Sequence, residues 1–203
     1  MLHRRFALPL IALVSLLLPG FGTRAEADLG VEADRPLSDP HQAQIDERVV
    51  GTWRAIIQEK VYFLHVGTGN VVGQSNWMEL ALVNPGEKPK FYLHHKIGFP
   101  STVGGKRFFN VANLSVLISQ LRGSTTEDLM SAVERWDIFK YEVTEDYLDV
   151  WAPDQDFVRE AIKAGAIKGA DASIDDATEN LIQFIESSAP KLFVKKVRYT
   201  RVK

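Results

Sequence analysis

The chain has 203 residues, no cysteine and a formal net charge of −2. This length allows one domain with a substantial core. A near-neutral, slightly acidic chain is not suited to nucleic acid as its main partner. Without cysteine, disulfides and thiolate metal sites are excluded. We expect no nucleic-acid partner, no metal and no other cofactor.

The first 27 residues have the pattern of a secretory signal peptide. Basic residues at positions 3–5 precede an apolar run over residues 6–18, and Ala-Glu-Ala at 25–27 has the small residues that a signal peptidase reads. An uncleaved membrane anchor is the alternative, but this run is shorter than the roughly 20 residues that a membrane span needs. A second candidate cleavage site lies at residues 23–25.

Cleavage after Ala27 removes three arginines and one glutamate, which changes the net charge from −2 to −4. The mature protein is then exported, periplasmic or secreted, without a membrane span. Residues 28–46 contain Gly30, Pro36 and Pro40, several acids and few large apolar side chains. Such a stretch has little to bury, so we expect a flexible arm there and a folded domain over residues 47–203.

Eight segments have the β-branched and aromatic composition of strands, and most are joined by short turns. They cover residues 49–58, 60–66, 76–83, 90–97, 106–112, 135–143, 147–151 and 191–202. Residues 67–70 and 98–105 are turn and loop clusters, and residues 113–121 fit either a strand or a helix.

Three helices are expected between these strands. The first covers residues 124–134, the second starts at Asp154 or Asp156 and ends at Gly165, and the third starts near Asp176 and stops at Pro190. The fold class is therefore mainly β, an eight-stranded antiparallel barrel with short helices inserted before strands six and eight. An open sheet with helices on one face is the alternative.

The Gly51-Thr52-Trp53 sequence in the first strand and a basic residue in the last strand, Arg198 or Arg201, resemble the lipocalin and calycin superfamily. The resemblance implies that Trp53 closes one end of the barrel and that an arginine of the last strand stacks on it. It also implies structural roles for Gly51 and for whichever of Arg198 and Arg201 makes this contact. An arginine over an indole adds cation–π attraction and hydrogen-bond donors for nearby carbonyls.

The resemblance extends from about residue 49 to 202 but has two departures. The second lipocalin motif is only partly matched, at residues 144–146, and helices precede the last strand instead of following it. Segments such as 62–67, 108–111 and 147–151 are similar to a group of exported bacterial lipocalin-like proteins without an agreed function.

The aromatic residues of the strands indicate either a ligand cavity or a filled interior. We expect Tyr62, His65, Tyr92 and His94 as polar contacts to a ligand, with the loops at residues 67–76 and 98–105 framing the open end. Because neighbouring residues in a strand face opposite sides, His94 and His95 cannot both join His65. Two histidines are too few for a zinc site.

No motif specifies a reaction, and the acids near residues 142–149 are typical of a solvated hairpin tip. The leading hypothesis is a non-catalytic barrel that binds a small apolar molecule, lipid-like or aromatic. The alternative is an envelope protein-interaction or inhibitor module with a filled barrel that contacts its partner through the helical insertions. A cavity of a few hundred Å³ favours the first hypothesis, and a solid core favours the second.

Overall fold

The computed structural model describes residues 31–68, 76–84, 92–115, 118–121 and 123–203, except for the side chain of Tyr92. The expected signal peptide lies outside these residues. The described part contains eleven strands and three α-helices. In chain order they are β1 (Glu32–Ala33), β2 (Gly51–Ile57), β3 (Lys60–Thr68), β4 (Met78–Asn84), β5 (Tyr92–Val103), β6 (Lys106–Leu114), α1 (Thr126–Ala132), β7 (Val133–Val143), β8 (Tyr147–Ala152), α2 (Gln155–Lys163), β9 (Gly169–Ala170), β10 (Ser173–Ile174), α3 (Thr178–Leu192) and β11 (Lys195–Arg201).

Eight of the strands form a closed antiparallel barrel, as the sequence predicts. From β2 to β8 each strand pairs with the next, and β11 pairs with both β8 and β2 to close the ring. The open-sheet alternative is therefore wrong. Short turns favour this outcome because they force consecutive strands to lie side by side and antiparallel.

The connections alternate between the two ends of the barrel because every neighbouring pair is antiparallel. We call the end where β2 begins the Trp53 end, and the opposite end the far end. The β3–β4 and β5–β6 connections lie at the Trp53 end, whereas the connections that carry the helices lie at the far end.

The expectation that residues 98–105 form a loop at an open end opposite Trp53 is therefore wrong. Strand β5 continues to Val103, and only Gly104 and Gly105 turn the chain into β6, both with positive φ. Residues 69–75 of the other expected loop lie outside the described part, but the strands on either side of them, β3 and β4, meet at the Trp53 end.

The barrel interior is packed with large side chains that alternate with outward-facing ones along each strand. Phe109 and Tyr141 stack with their ring centres 4.0 Å apart. Trp53, Leu148 and Tyr199 are completely buried. Around these residues the barrel has a dense aromatic and aliphatic core.

The helices cover one side of the barrel from outside. Helices α2 and α3 pack their apolar faces on the outer surface of β6 and β7, where Phe108 and Phe193 have ring centres 5.5 Å apart. Helix α1 lies over a second outer cluster in which Phe99 makes edge-to-face contacts with Trp77 and Trp136. The segment at 113–121, which fitted either a strand or a helix, begins as the end of β6 and ends in a short 3-10 helix, Ile118–Leu121.

Helix α3 continues to Leu192, two residues beyond the predicted stop at Pro190. Proline lacks an N–H and disturbs the carbonyl one turn before it. At Pro190 this disturbance affects only the last turn of the helix, and the helix therefore ends after the proline instead of before it.

Residues 31–46 lie against the barrel, although their composition predicts a flexible arm. Strand β1 pairs with β7 through Glu32 opposite Asp137, and it continues the edge of β7 that β8 leaves unpaired. Val31, Ala33 and Leu37 are almost completely buried under the helices. The few apolar residues of this segment are thus concentrated where the barrel and helices leave a gap.

A buried asparagine holds the same segment. The side chain of Asn110 accepts a hydrogen bond from the backbone N–H of Leu37 at 2.8 Å and donates to the Oγ of Ser101 at 2.6 Å. Ser101 also hydrogen-bonds Ser38 at 2.6 Å. Because the Asn110 side chain has no exposed surface, this contact ties the N-terminal segment to the sheet.

Candidate functional site

The Trp53 end of the barrel is closed by an indole and a guanidinium. Trp53 has no exposed surface and its Nε1 donates to the carbonyl of Val49 at 2.7 Å. The guanidinium carbon of Arg201 lies 4.1 Å from the centre of the indole ring, in the range of a cation–π contact.

Arg201 also links its own strand to two other segments of the chain, the segment before β2 and the β7–β8 turn. It donates to the carbonyls of Glu145 at 2.8 Å and Val50 at 3.1 Å, and to the carbonyl of Arg48. Gly51 has φ +134°, and a Cβ there would lie 2.9 Å from Nη1 of Arg201. A glycine therefore gives the chain both the backbone angle and the space that this arginine needs.

Arg198 lies on the outer face and does not contact Trp53. Its guanidinium makes two hydrogen bonds of 2.7 Å to Asp149 and lies 5.0 Å from the ring centre of Tyr147. Hydrogen bonding from Arg198 lowers the pKa of Asp149. Of the two candidate arginines, the structure places Arg201 over Trp53.

A group of polar side chains lies inside the barrel, on the side formed by β5, β6, β7 and β1. We call it the interior polar cluster: Glu32, His94, Lys96, Asn113 and Asp137. The Nζ of Lys96 donates to Asn113 at 2.5 Å, and Asn113 donates to Glu32 at 3.3 Å. Asp137 is 4% exposed.

Burial dominates the acid–base properties of this cluster. It raises the pKa of Asp137 to about 7, although the charge of Lys96 opposes the shift. Burial also lowers the pKa of Lys96, against the attraction of Asp137 and Glu32. The pKa of His94 is lowered by burial and then by the charge of Lys96, which favours the neutral imidazole at neutral pH.

Three members of this cluster, His94, Lys96 and Asp137, line one side of a small interior pocket. The other described side chains around it are apolar: Leu64, Leu80, Leu82, Val111 and Phe139. The enclosed volume is about 20 Å³, enough for one water molecule or the tip of a larger ligand. The Oδ1 of Asp137 and the Nδ1 of His94 are buried and have no hydrogen-bond partner among the described residues.

The structure separates the four residues expected to contact a ligand. Tyr62 faces the interior, where burial raises its pKa, and His94 lines the pocket. His65 instead lies on the outer face, exposed, with Nδ1 2.9 Å from Oγ1 of Thr52. The Tyr92 side chain lies outside the described part. It is His95, bonded to Glu79 at 3.1 Å, that shares the outer face with His65.

Lys96, Asn113, Asp137 and Glu32 did not stand out in the sequence as site residues. A usable signal was present at Asp137, which lies between Trp136 and Ile138 in an otherwise apolar part of its strand. An acid at an inward position of a strand requires a partner or a function. The contribution of Glu32 depends on the docking of β1, which no local pattern indicates.

The outer face of β2 to β5 carries apolar side chains that the helices do not cover. Phe63 pairs across the sheet with Val83, which pairs with Leu93. Leu93 is 55% exposed and Ile56 is 62% exposed. This face, defined by Ile56, Phe63, Val83 and Leu93, is called the open apolar face below.

A wider polar groove lies between the loop after α2 and the exposed side of α3. Its volume is about 450 Å³, and its lining includes Lys168, Asp176, Asn180, Gln183 and Ser187. Asp176 is bonded to Asn180 at 2.7 Å. All of these side chains lie at the surface, so solvent fills the groove freely.

Within the described residues, no three His, Asp or Glu side chains come together as a metal site. The described helices are too short or too polar to cross a membrane. No family model, curated protein or solved structure matches this chain.

Proposed function

We propose that the protein is a non-catalytic, lipocalin-like binding protein that takes one end of a small, mostly apolar molecule into its barrel. The observation that carries this proposal is the interior pocket, where five apolar side chains meet two buried polar atoms without partners. Buried polar groups are normally hydrogen-bonded, and a few convergent polar groups in an apolar pocket are typical of ligand sites.

The pocket volume limits the ligand. About 20 Å³ is far below the few hundred Å³ expected for an enclosed lipid or aromatic ligand. Only a terminal group enters without displacing side chains. His94 and Lys96 are partly exposed, so the body of the ligand is proposed to lie on their solvent side.

The lipocalin-like assignment is supported at the Trp53 end. Gly51, Trp53 and Arg201 make the contacts that the resemblance implies. The β7–β8 turn, where the partly matched second motif lies, contributes the Glu145 carbonyl to Arg201. The helices before β11 remain a departure from the usual family pattern.

Native mass spectrometry of the protein purified from its own host tests this function. We expect a stoichiometric small-molecule adduct that leaves on denaturation. The variant Leu80→Phe, which fills the pocket, should lose the adduct, whereas Leu192→Phe in the helical layer should keep it. Circular dichroism must show that both variants fold. An adduct-free protein, also after incubation with a lipid panel, would refute the proposal.

A second candidate is a protein-interaction module. Two observations favour it: the barrel interior is nearly filled, and Ile56 and Leu93 on the open apolar face are largely exposed. A photo-crosslinking residue at position 56 or 93 should then give an adduct of one defined mass in host cells. The same residue at Val194, which is exposed on another surface, should not. Equal labelling at all three positions would count against a specific partner.

We also propose that the protein is exported, on the basis of residues 1–27. Intact-mass measurement of the protein from its host should give a chain that begins at Asp28. A chain that retains the leader would support the uncleaved anchor instead.

A further inference from the structure

The unpaired atoms in the interior pocket define what kind of group it accepts. An ionised carboxylate only accepts hydrogen bonds, and a neutral imidazole nitrogen accepts whenever the proton is on the other nitrogen. Asp137 Oδ1 is therefore available as an acceptor when the carboxyl group is ionised, and His94 Nδ1 is available in the tautomer that carries its proton on Nε2. Asp137 is too deeply buried for bulk solvent to satisfy it.

The charges around the pocket also favour a ligand group that donates hydrogen bonds. Glu32 and Asp137 are direct partners across the β1–β7 pair, so two carboxyl groups lie side by side. Lys96 is the cation that interacts with both of them. Arg135, two residues along β7, is paired with Asp34 and with Ser173.

Lys96 already interacts with groups of the protein, and one of its three donors is engaged. Its ammonium donates to Asn113 at 2.5 Å and balances the two carboxyl groups. A ligand carboxylate would add a third anion to a site with one shared cation, at a buried position where like charges repel strongly. An ammonium or hydroxyl group would instead donate to an acceptor that lacks a partner.

From this arrangement we infer that the interior pocket takes the hydrogen-bond-donating end of a ligand, a primary amine or an alcohol, and rejects a carboxylate. The inference rests on the proposed binding function and specifies its ligand class. The alkyl part next to the donor group would contact Leu64, Leu80 and Leu82, which line the apolar side.

The test compares three probes with the same chain: octylamine, 1-octanol and octanoate. Each is titrated into the protein at pH 8, above the pKa of Asp137, and the methyl NMR signals of Leu64, Leu80 and Leu82 are followed. We expect the amine and the alcohol to shift these signals with a Kd at least about tenfold lower than that of octanoate. One charge-assisted hydrogen bond accounts for a difference in affinity of this size.

Two variants assign the effect to Asp137. In Asp137→Asn the charge is lost at nearly constant shape, so octylamine should bind about tenfold more weakly, whereas 1-octanol, whose hydroxyl can still donate to the amide oxygen, should lose less. Asp149→Asn, on the outer face of β8, should leave all three affinities unchanged. If Asp137→Asn does not fold, the ranking of the three affinities on the unaltered protein still tests the proposed ligand class.

The outcomes separate the two proposals. Tighter binding of octanoate than of the amine and alcohol would overturn the ligand class but keep the pocket as a binding site. No shift of the pocket methyl groups with any probe would overturn the binding function itself. Shifts confined to the backbone amide signals of Gln183 and Ser187, followed in the same titrations, would place binding in the polar groove on α3 and overturn both.

Discussion

At the scale of single residues, Asp137 is an acid whose surroundings differ strongly from water, since it is 4% exposed. Burial raises its pKa from 3.8 to about 7. Between these two values the folded protein holds a proton that the unfolded chain has released. Stability therefore falls as the pH rises from about 4 to 7, and this contribution is constant above the folded pKa.

Asp137→Asn should remove this dependence. Relative to the unaltered protein, the variant gains stability as the pH rises from about 4 to 7. The gain is at most about 4 kcal/mol, since one pKa unit corresponds to about 1.4 kcal/mol. Urea unfolding at a series of pH values from 4 to 8 measures the difference.

Asp149→Asn provides a control of opposite sign. Because Arg198 lowers the pKa of Asp149, its ionised form stabilises the fold above the unfolded value of 3.8, and this contribution disappears as the pH falls through the lower folded pKa. The variant should be less stable than the unaltered protein at neutral pH and approach it in acid. The same pH profile for both variants would contradict the opposite pKa shifts of Asp137 and Asp149.

Arg201→Lys tests the closure of the Trp53 end. A lysine keeps the charge but cannot reach three carbonyls as the planar guanidinium does. We expect a loss of about 1–3 kcal/mol in the free energy of unfolding. Arg54→Lys, at an exposed position of β2, should change it by less than about 0.5 kcal/mol. Equal losses of unfolding free energy in the two variants would show that the closure of the Trp53 end does not stabilise the fold.

At the scale of elements, local pattern was sufficient to identify the eight barrel strands, but not the bounds of β5 and β11, and it was insufficient for β1. Strands such as β3 and β8 are short runs of apolar and aromatic residues between turn residues, and this signal comes from neighbours in the sequence. Strand β1 has two residues, and it exists because β7 has an unpaired edge and because Asn110, far along the chain, binds Leu37.

The candidate site was predicted only in part for the same reason. The role of Trp53 is what the resemblance at residues 51–53 implies, whereas the interior polar cluster combines residues from four strands. Its existence depends on the register of each pair, and a shift of one residue reverses every facing. His65 is a different case: it lies three residues after Tyr62 in the same strand, so the two side chains face opposite sides in any register.

Asn110→Ala tests how the N-terminal segment is held. The variant leaves the Leu37 N–H without its buried acceptor, which costs about 1–3 kcal/mol. Hydrogen exchange measured by mass spectrometry should show loss of protection over residues 31–38 while the barrel strands stay protected. Asn180→Ala, on the exposed side of α3, is the control. Unchanged protection in Asn110→Ala would mean that apolar packing alone holds the segment.

At the scale of the whole molecule, one interior core and two outer clusters share the sheet. The interior core is dense apart from the small pocket. One outer cluster lies between the sheet and helices α2 and α3, and the other lies under helix α1. The proposed ligand binding in the interior therefore depends on the small volume that the side chains leave free.

Leu82→Ala and Leu181→Ala test this division. Both residues are buried, so each truncation should cost about 2–5 kcal/mol. Only Leu82→Ala enlarges the interior pocket, so only this variant should bind xenon inside the barrel, as apolar cavities do. Xenon-induced shifts of the methyl signals of Leu64 and Leu80 measure it. Binding to both variants, or to neither, would contradict a distinct interior pocket.

The order in which the barrel closes follows from the position of β11. The seven consecutive strands β2 to β8 are joined by six pairings between neighbours, so they can assemble while the chain is being made from its N-terminus. The ring closes only when residues 195–201 are available to join β8 to β2. Until then the nascent sheet has two unpaired edges, which are prone to join other chains. A chain shortened by its last strand would therefore be recognised by quality-control proteases or aggregate, although most of its core residues were present.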